Sequence, residues 1–240
     1  MPINRPNLQK LPPLHIESTY VGTSISSANE HLKNNFDTLY NNMRNIPTSC
    51  FKEALDVPDY SGMRQIDYFD MSHGFLLNTD SSDVFIHAGR DIAKNQGKFV
   101  GDKFHISVQR DMMPQAFQVL SGLLFSEDSP VDKWKVTNLE RVDQQARVSV
   151  GAQFTLYIKP DQENSQYSAS LLHNIRDFIE CLESRLSNNG IIPGQRPESD
   201  VHPESWQYFS YRNELRSERS GSEIQSQTLR EEPFYRLMTE

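Results

Sequence analysis

Two stretches of this chain alternate residue by residue between apolar and polar side chains. In the run from Lys103 to Arg110, Phe104, Ile106 and Val108 point one way and Lys103, His105, Ser107 and Gln109 the other. In the run from Ala146 to Lys159, Val148, Val150, Phe154, Leu156 and Ile158 share one side. Arg147, Ser149, Gln153, Thr155, Tyr157 and Lys159 share the opposite one. A period of two belongs to half-buried antiparallel strands, with one face on a core and one in water. Asp83 to Ala88 (DVFIHA) is a shorter strand candidate.

Other stretches repeat with the helical period. Ser27-Ala28-Asn29-Glu30 has the form of a capping box, and Leu32, Phe36, Leu39, Tyr40 and Met43 then fall on one helical face. Pro114 suits a first helical position ahead of Ala116, Phe117, Leu120 and Leu124. The longest helix is predicted from about Ser168 to Ser187, with Leu171, Leu172, Ile175, Phe178, Ile179, Leu182 and Leu186 inward. Asn188-Asn189-Gly190 ends it with residues that tolerate a left-handed cap. The tail from Trp206 is polar, yet Trp206, Tyr208, Phe209, Tyr211, Phe234 and Tyr235 predict that it packs. Residues 1–27, rich in Pro, Asn and Ser, show no sustained period and read as a flexible N-terminal leader. Strands and helices intersperse without a βαβ repeat. The expected class is therefore α+β: a single compact domain over residues 28–240, with antiparallel strands packed by helices.

Composition narrows the function. The chain has 240 residues, enough for a core without staples, and its formal charge of -8 argues against general affinity for nucleic acid or an anionic membrane. No apolar run reaches the length of a membrane span. Cys50 and Cys181 match no metal or redox spacing and read as free thiols of a reducing compartment. The histidines never pair at metal-ligand spacing, and no P-loop, dinucleotide loop or nucleophile-elbow serine appears.

Against that acidic background, the polar sides of the two alternating runs carry Lys103, His105, Arg147, Tyr157 and Lys159, with no carboxylate between them. By spacing alone these are the solvated faces of ordinary strands. By chemistry they make a cationic patch that would suit phosphate, which arginine binds through its planar fork and lysine as a point charge. Lys133-Trp134-Lys135 adds two lysines on one side of an extended chain. Arg147 and Tyr157 would lie about 33 Å apart in an unbroken strand, so sharing one site needs a bend, and Gly151 is the obvious place. The run from Tyr211 to Arg219 mixes both signs and reads by default as a solvated helix or loop.

Five longer words carry a resemblance: GDKFHIS, LSGLLFSEDSPVDKWK, GAQFTLYIK, SYRNELRS and REEPFYRLM. Together they resemble the OspF/SpvC family of phosphothreonine lyases, type III secreted effectors that act on host MAP kinases. The likeness runs from about Leu32 to Glu240, is densest from Gly101 onward, and is weakest from Met63 to Val100. It implies β-elimination of phosphate from phosphothreonine in a pThr-x-pTyr loop, with no metal and no cofactor. Carried over, Lys135 is the general base, His105 the general acid, Lys103 a stabiliser of developing charge and Tyr157 a positioning group. Arg147, Arg212 and Arg219 correspond to the phosphate-binding arginines, with Lys159 on the phosphotyrosine side. The leader would hold the export signal and a kinase-docking segment, in which Arg5 and Lys10 precede Leu14 and Ile16, with Leu11 as an alternative anchor. The partner implied is a host MAP kinase phosphorylated on Thr and Tyr, met by a monomer in the host cytoplasm or nucleus. The rival readings are a non-catalytic phosphopeptide-binding module that sequesters the kinase, and a phosphatase.

Overall fold

The computed structural model describes residues 27–66, 68–79 and 83–240. Lys10, Leu14, Ile16 and the rest of the expected docking segment lie outside them. Seven strands form one wholly antiparallel sheet: β1 (Phe69–Ser72), β2 (Phe75–Thr79), β3 (Phe85–Arg90), β4 (Asp102–Ile106), β5 (Lys133–Thr137), β6 (Phe154–Tyr157) and β7 (Phe209–Asn213). Their spatial order is β1-β2-β3-β5-β6-β4-β7. The helices are α1 (27–34), α2 (Phe36–Arg44), α3 (Tyr60–Arg64), α4 (Met113–Leu124), α5 (Arg147–Val150), α6 (Ala169–Asn188), α7 (Glu223–Glu231) and α8 (Pro233–Thr239). The class is α+β, one domain, as the patterns predict.

Register decides what each face of the sheet carries, because directly paired residues point the same way. Ala88, Trp134, Leu156, Phe104 and Tyr211 pair in succession across β3, β5, β6, β4 and β7. Ile86, Val136, Phe154, Ile106 and Phe209 make a second apolar row on the same face. This core face is closed by helices. Phe117 of α4 packs against Trp134 and Phe154, and Phe234 of α8 against Phe104 and Tyr211. Helix α6 lies behind, in contact with α2, α4 and α8. Each aromatic buried here contributes roughly 1.5–3 kcal/mol of transfer free energy.

The long helix forms where its period predicts. Ser168 caps it, its hydroxyl accepting from the Leu171 N–H at 3.1 Å, and Gly190 leaves it at φ 67°. The aromatic tail packs as expected, with Trp206, Tyr208, Phe209, Tyr211, Phe234 and Tyr235 all buried. Both thiols are free.

Four expectations need correction. The helical face from Leu32 to Met43 spans two segments, because the chain leaves helical geometry at Asn35, whose side-chain amide donates to the His31 carbonyl at 2.9 Å. Strand β4 is buried on both faces rather than half-solvated, since loops from distant parts of the chain close over its polar side. The run from Ala146 to Lys159 is not one strand: its first part coils into α5, and β6 starts only at Phe154. The mixed-charge run from Tyr211 to Arg219 is not a solvated helix or loop at its start, because Tyr211, Arg212 and Asn213 end the fully buried strand Phe209–Asn213. Strands β1 and β2 carry no period that singles them out.

Candidate active site

The face opposite the core carries the residues to which the resemblance assigns the chemistry. Paired residues place His87, Lys135, Thr155, His105 and Ser210 in one row across β3, β5, β6, β4 and β7. The next row along the same face is Gly89, Lys133, Tyr157, Lys103 and Arg212. Lys135 and His105 thus stand two strands apart, about 10 Å between their backbones, with the small side chain of Thr155 between them. Above this floor is a cavity of about 350 Å³ lined by Phe85, Lys103, His105, Lys135, Arg147, Val148, Ala152, Thr155, Tyr157, Arg212, Glu214 and Arg219. Seven of the eight residues assigned to catalysis or phosphate binding therefore meet in one place. Lys159 is the exception: it lies two residues beyond β6, half-buried and outside the lining.

The bend that Arg147 and Tyr157 require falls at Gly151. Its φ of -169° is ordinary extended backbone, so conformation does not demand glycine there. Space does: a Cβ at Gly151 would stand 1.6 Å from the Gln195 carbonyl oxygen. Gln153, fully buried below, accepts from the Val108 N–H at 3.0 Å and donates to the Val108 and Ser149 carbonyls at 2.7 and 3.0 Å. This clamp fixes α5, and with it Arg147, over the end of β6.

The two candidate proton-transfer groups differ in how they are held. His105 is 3% exposed, and its Nδ1 is 2.6 Å from Asp200 Oδ2. Asp200 also accepts from the hydroxyls of Ser210 at 2.7 Å and Ser199 at 3.0 Å; against the effect of burial, His105 first and then these hydroxyls hold its carboxyl below the usual range. A carboxylate only accepts, so Nδ1 carries the proton and Nε2 is left for the cavity. Burial, outweighing the pull of Asp200, holds the imidazole below its ordinary range. Lys135 has no such anchor. Its Nζ sits 3.7 Å from the centre of the Phe85 ring and 5.8 Å from that of Tyr157. Burial and the charges of Lys103 and Lys133 lower its pKa from 10.5 to about 8.

Lys103 is ion-paired to Glu214 at 3.1 Å, and desolvation still lowers its pKa somewhat. Arg212 is buried, its guanidinium donating to the Ser217 hydroxyl at 3.0 Å and the Ser217 carbonyl at 2.9 Å. Arg147 and Arg219 stand exposed at the rim. Burial and the nearby carboxylates push the Tyr157 phenol up to about 12, so it remains a donor across the working pH range. Asp200, Glu214, Phe85 and Thr155 are site residues that sequence reasoning does not single out. Phe85 shares the period-2 parity of His87 in DVFIHA, the one signal by which it could be found. Asp200 and Glu214 sit outside any alternating run and announce themselves only in space. Among the described residues no group of three or more His, Cys, Asp or Glu side chains could hold a metal ion, and no helix is long and apolar enough to cross a membrane.

A family model described as OspF/SpvC matches residues 2–240. The chain belongs to the OspF/SpvC family. Within it, the chain is 73% identical over 241 residues to a MAPK phosphothreonine lyase of Salmonella typhimurium, covering 100% of both chains. It is 59% identical over 244 residues to the phosphothreonine lyase OspF of Shigella dysenteriae, again over 100% of both. A solved structure of the Salmonella plasmid virulence C protein (SpvC) superposes with a TM-score of 0.87 at 76% identity, covering 89% of this chain and 99% of that one. The OspF/SpvC fold is therefore the frame in which the cavity is to be read.

Proposed function

We propose that this chain is a phosphothreonine lyase that inactivates host MAP kinases by β-elimination at a pThr-x-pTyr activation loop. The observation that carries the reading is the single row holding Lys135 and His105 on either side of Thr155, beneath a rim of arginines. A binding module needs the arginines but has no use for a matched base and acid. In the reaction, the neutral Lys135 amine takes the threonine Cα proton. The electron pair forms the Cα=Cβ bond, the Cβ–O bond breaks, and phosphate departs with a proton from His105 Nε2.

A Cα proton is a poor acid, so the base must be uncharged and close. The cations that lower Lys135 supply that, and they also stabilise the enolate-like charge growing on the carbonyl. Arg147, Arg212 and Arg219 bind the phosphate dianion, which in turn favours the imidazolium form of His105. Lys103 offsets charge at the carbonyl or phosphate, Tyr157 holds acid and base in place, and Lys159 reaches toward the phosphotyrosine. Asp200 orients His105. No nucleophile and no activated water enters, which separates this chemistry from hydrolysis. The protein would act as a monomer delivered by a type III system, with Lys10, Leu14 and Ile16 of its leader engaging the kinase.

Mass spectrometry tests the reading directly. A doubly phosphorylated Thr-x-Tyr peptide, incubated with the protein and EDTA, should lose its threonine phosphate and end one water lighter than the unphosphorylated peptide, with phosphotyrosine intact. Recovery of unmodified threonine would mean hydrolysis. A peptide bound but unchanged would mean a sequestering module.

A further inference from the structure

The site face does not stop at the cavity. Its first row continues from Lys135 and His87 to Asn78 on β2 and Phe69 on β1, and its second from Lys133 and Gly89 to Leu76 and Met71. Here, among the described residues, the face is far more open than over β4 and β7. Phe69 is 59% and Met71 49% exposed, Asn78 is exposed, and Leu76 is half-buried. Large apolar side chains on the open face of an edge strand carry a solvation cost and an aggregation hazard that the fold does not offset.

Gly89 adds an independent sign. It sits inside β3, one residue from its end and paired on both sides, where glycine packs nothing and weakens the sheet. Its φ is not positive, and a Cβ there would meet nothing within 4 Å. Neither conformation nor crowding therefore calls for glycine. What its absent side chain leaves is a gap between Leu76 and Lys133, on the same face of the sheet as the cavity. Glycine in such a place is what close passage of another backbone requires.

We propose that this strip, floored by Gly89 and walled by Phe69, Met71 and Leu76, is a track for the substrate protein's own chain, accepting an apolar side chain that flanks the phosphothreonine. The inference rests on the lyase reading above and deepens it. Its occupant follows from continuity: the strip is the same face of the same sheet as the cavity, and a chain whose phosphothreonine lies over Lys135 must leave across it or over the rim. From β5 to β1 is three strand spacings, roughly 15 Å, which an extended chain covers in about four or five residues. The track would thus read an apolar residue at about that distance from the phosphothreonine and ignore a shorter peptide.

Two variants and two substrates test it. Gly89→Val and the double change Phe69→Ser with Met71→Ser are each assayed on a pThr-x-pTyr tripeptide and on the intact doubly phosphorylated kinase. Both variants should lose about tenfold or more in kcat/KM on the kinase and stay within about twofold of wild type on the tripeptide. Gly89→Val should melt no lower than wild type, because valine suits a strand. Unchanged rates on both substrates, or equal losses on both, would overturn the track. So would a wild-type dimer that the double change dissolves in sedimentation, since the face would then belong to a second copy. A wild-type protein unable to eliminate phosphate from the tripeptide would instead sink the lyase reading itself.

Discussion

The two faces of strands β3–β7 are built from alternate residues of the same five segments, and they are almost equally dry around β4. Phe104 and Ile106 are fully buried, and the alternate residues Lys103 and His105 are only 9% and 3% exposed. Burial therefore does not separate core from site. The difference lies in what burial does to each side chain. On the core face it releases water from apolar surface and is favourable outright. On the site face it penalises charge, and that penalty is what lowers Lys135 and holds His105 below its usual range. On the proposed mechanism, one sheet keeps its stability on one side and its reactivity on the other, and substitutions should divide accordingly.

The sharpest division should come from Lys135→Ala. It should cut turnover by about 10⁴-fold while phosphopeptide binding, followed by calorimetry, stays close to wild type. An equal loss of binding would make Lys135 a phosphate ligand and not the base. On the neighbouring residue of the opposite face, Trp134→Ala should cost about 3–5 kcal/mol in denaturant unfolding, with the protein that remains folded showing ordinary kinetics. If Trp134→Ala altered kcat without altering stability, the two faces would not be separable in this way.

Asp200→Asn tests whether a residue behind the site face acts through it. The amide no longer favours the imidazolium, so turnover should fall roughly 10²-fold with little change in binding. The pH profile sharpens the same point. With His105 held below its usual range and Lys135 at about 8, the competent pair, imidazolium with neutral amine, is a minority form. Log kcat/KM should then run flat between the two values and fall with unit slope above about pH 8, where the lysine is already neutral and further base only strips the acid. A rise through pH 8 would mean that His105 is not the acid.

Stability should show the linked signature. The folded-state value of Lys135 lies below its unfolded value, so between about 8 and 10.5 the unfolded chain binds the extra proton and stability rises with pH. Lys135→Met should accordingly raise the melting temperature at neutral pH, and the gain should shrink as pH climbs through that window. The smallest effect belongs to Tyr157→Phe, which keeps the ring beneath Lys133 and Lys135 and removes only a hydroxyl; a loss of a few-fold, about 1 kcal/mol, is expected in kcat.

Much of this is legible in the chain. The alternation from Lys103 to Gln109 by itself puts Lys103 and His105 on one face, and Lys133 and Lys135 share a side for the same reason, since a pleated strand repeats every two residues. The long helix and its caps, the bend at Gly151 and the packing of the aromatic tail are equally readable, because each rests on a local rule of period, capping or volume. The alternation from Arg147 to Ser149 misleads: the same letters coil into α5, where loop contacts through Gln153 outweigh a three-residue period.

What the tertiary structure alone decided is the order of strands and the company each side chain keeps. Sequence neighbours β3 and β4 are separated in space by β5 and β6, so that Lys135 and His105 flank Thr155. Strand order follows from loop closure and core packing summed over the whole chain, which no local period encodes. For the same reason Asp200 meets His105 across 95 residues and Glu214 meets Lys103 across 111. The residue types that could do the chemistry were set by local pattern. Which of them would be dry, paired and within reach of one another was set by the sheet that buried them.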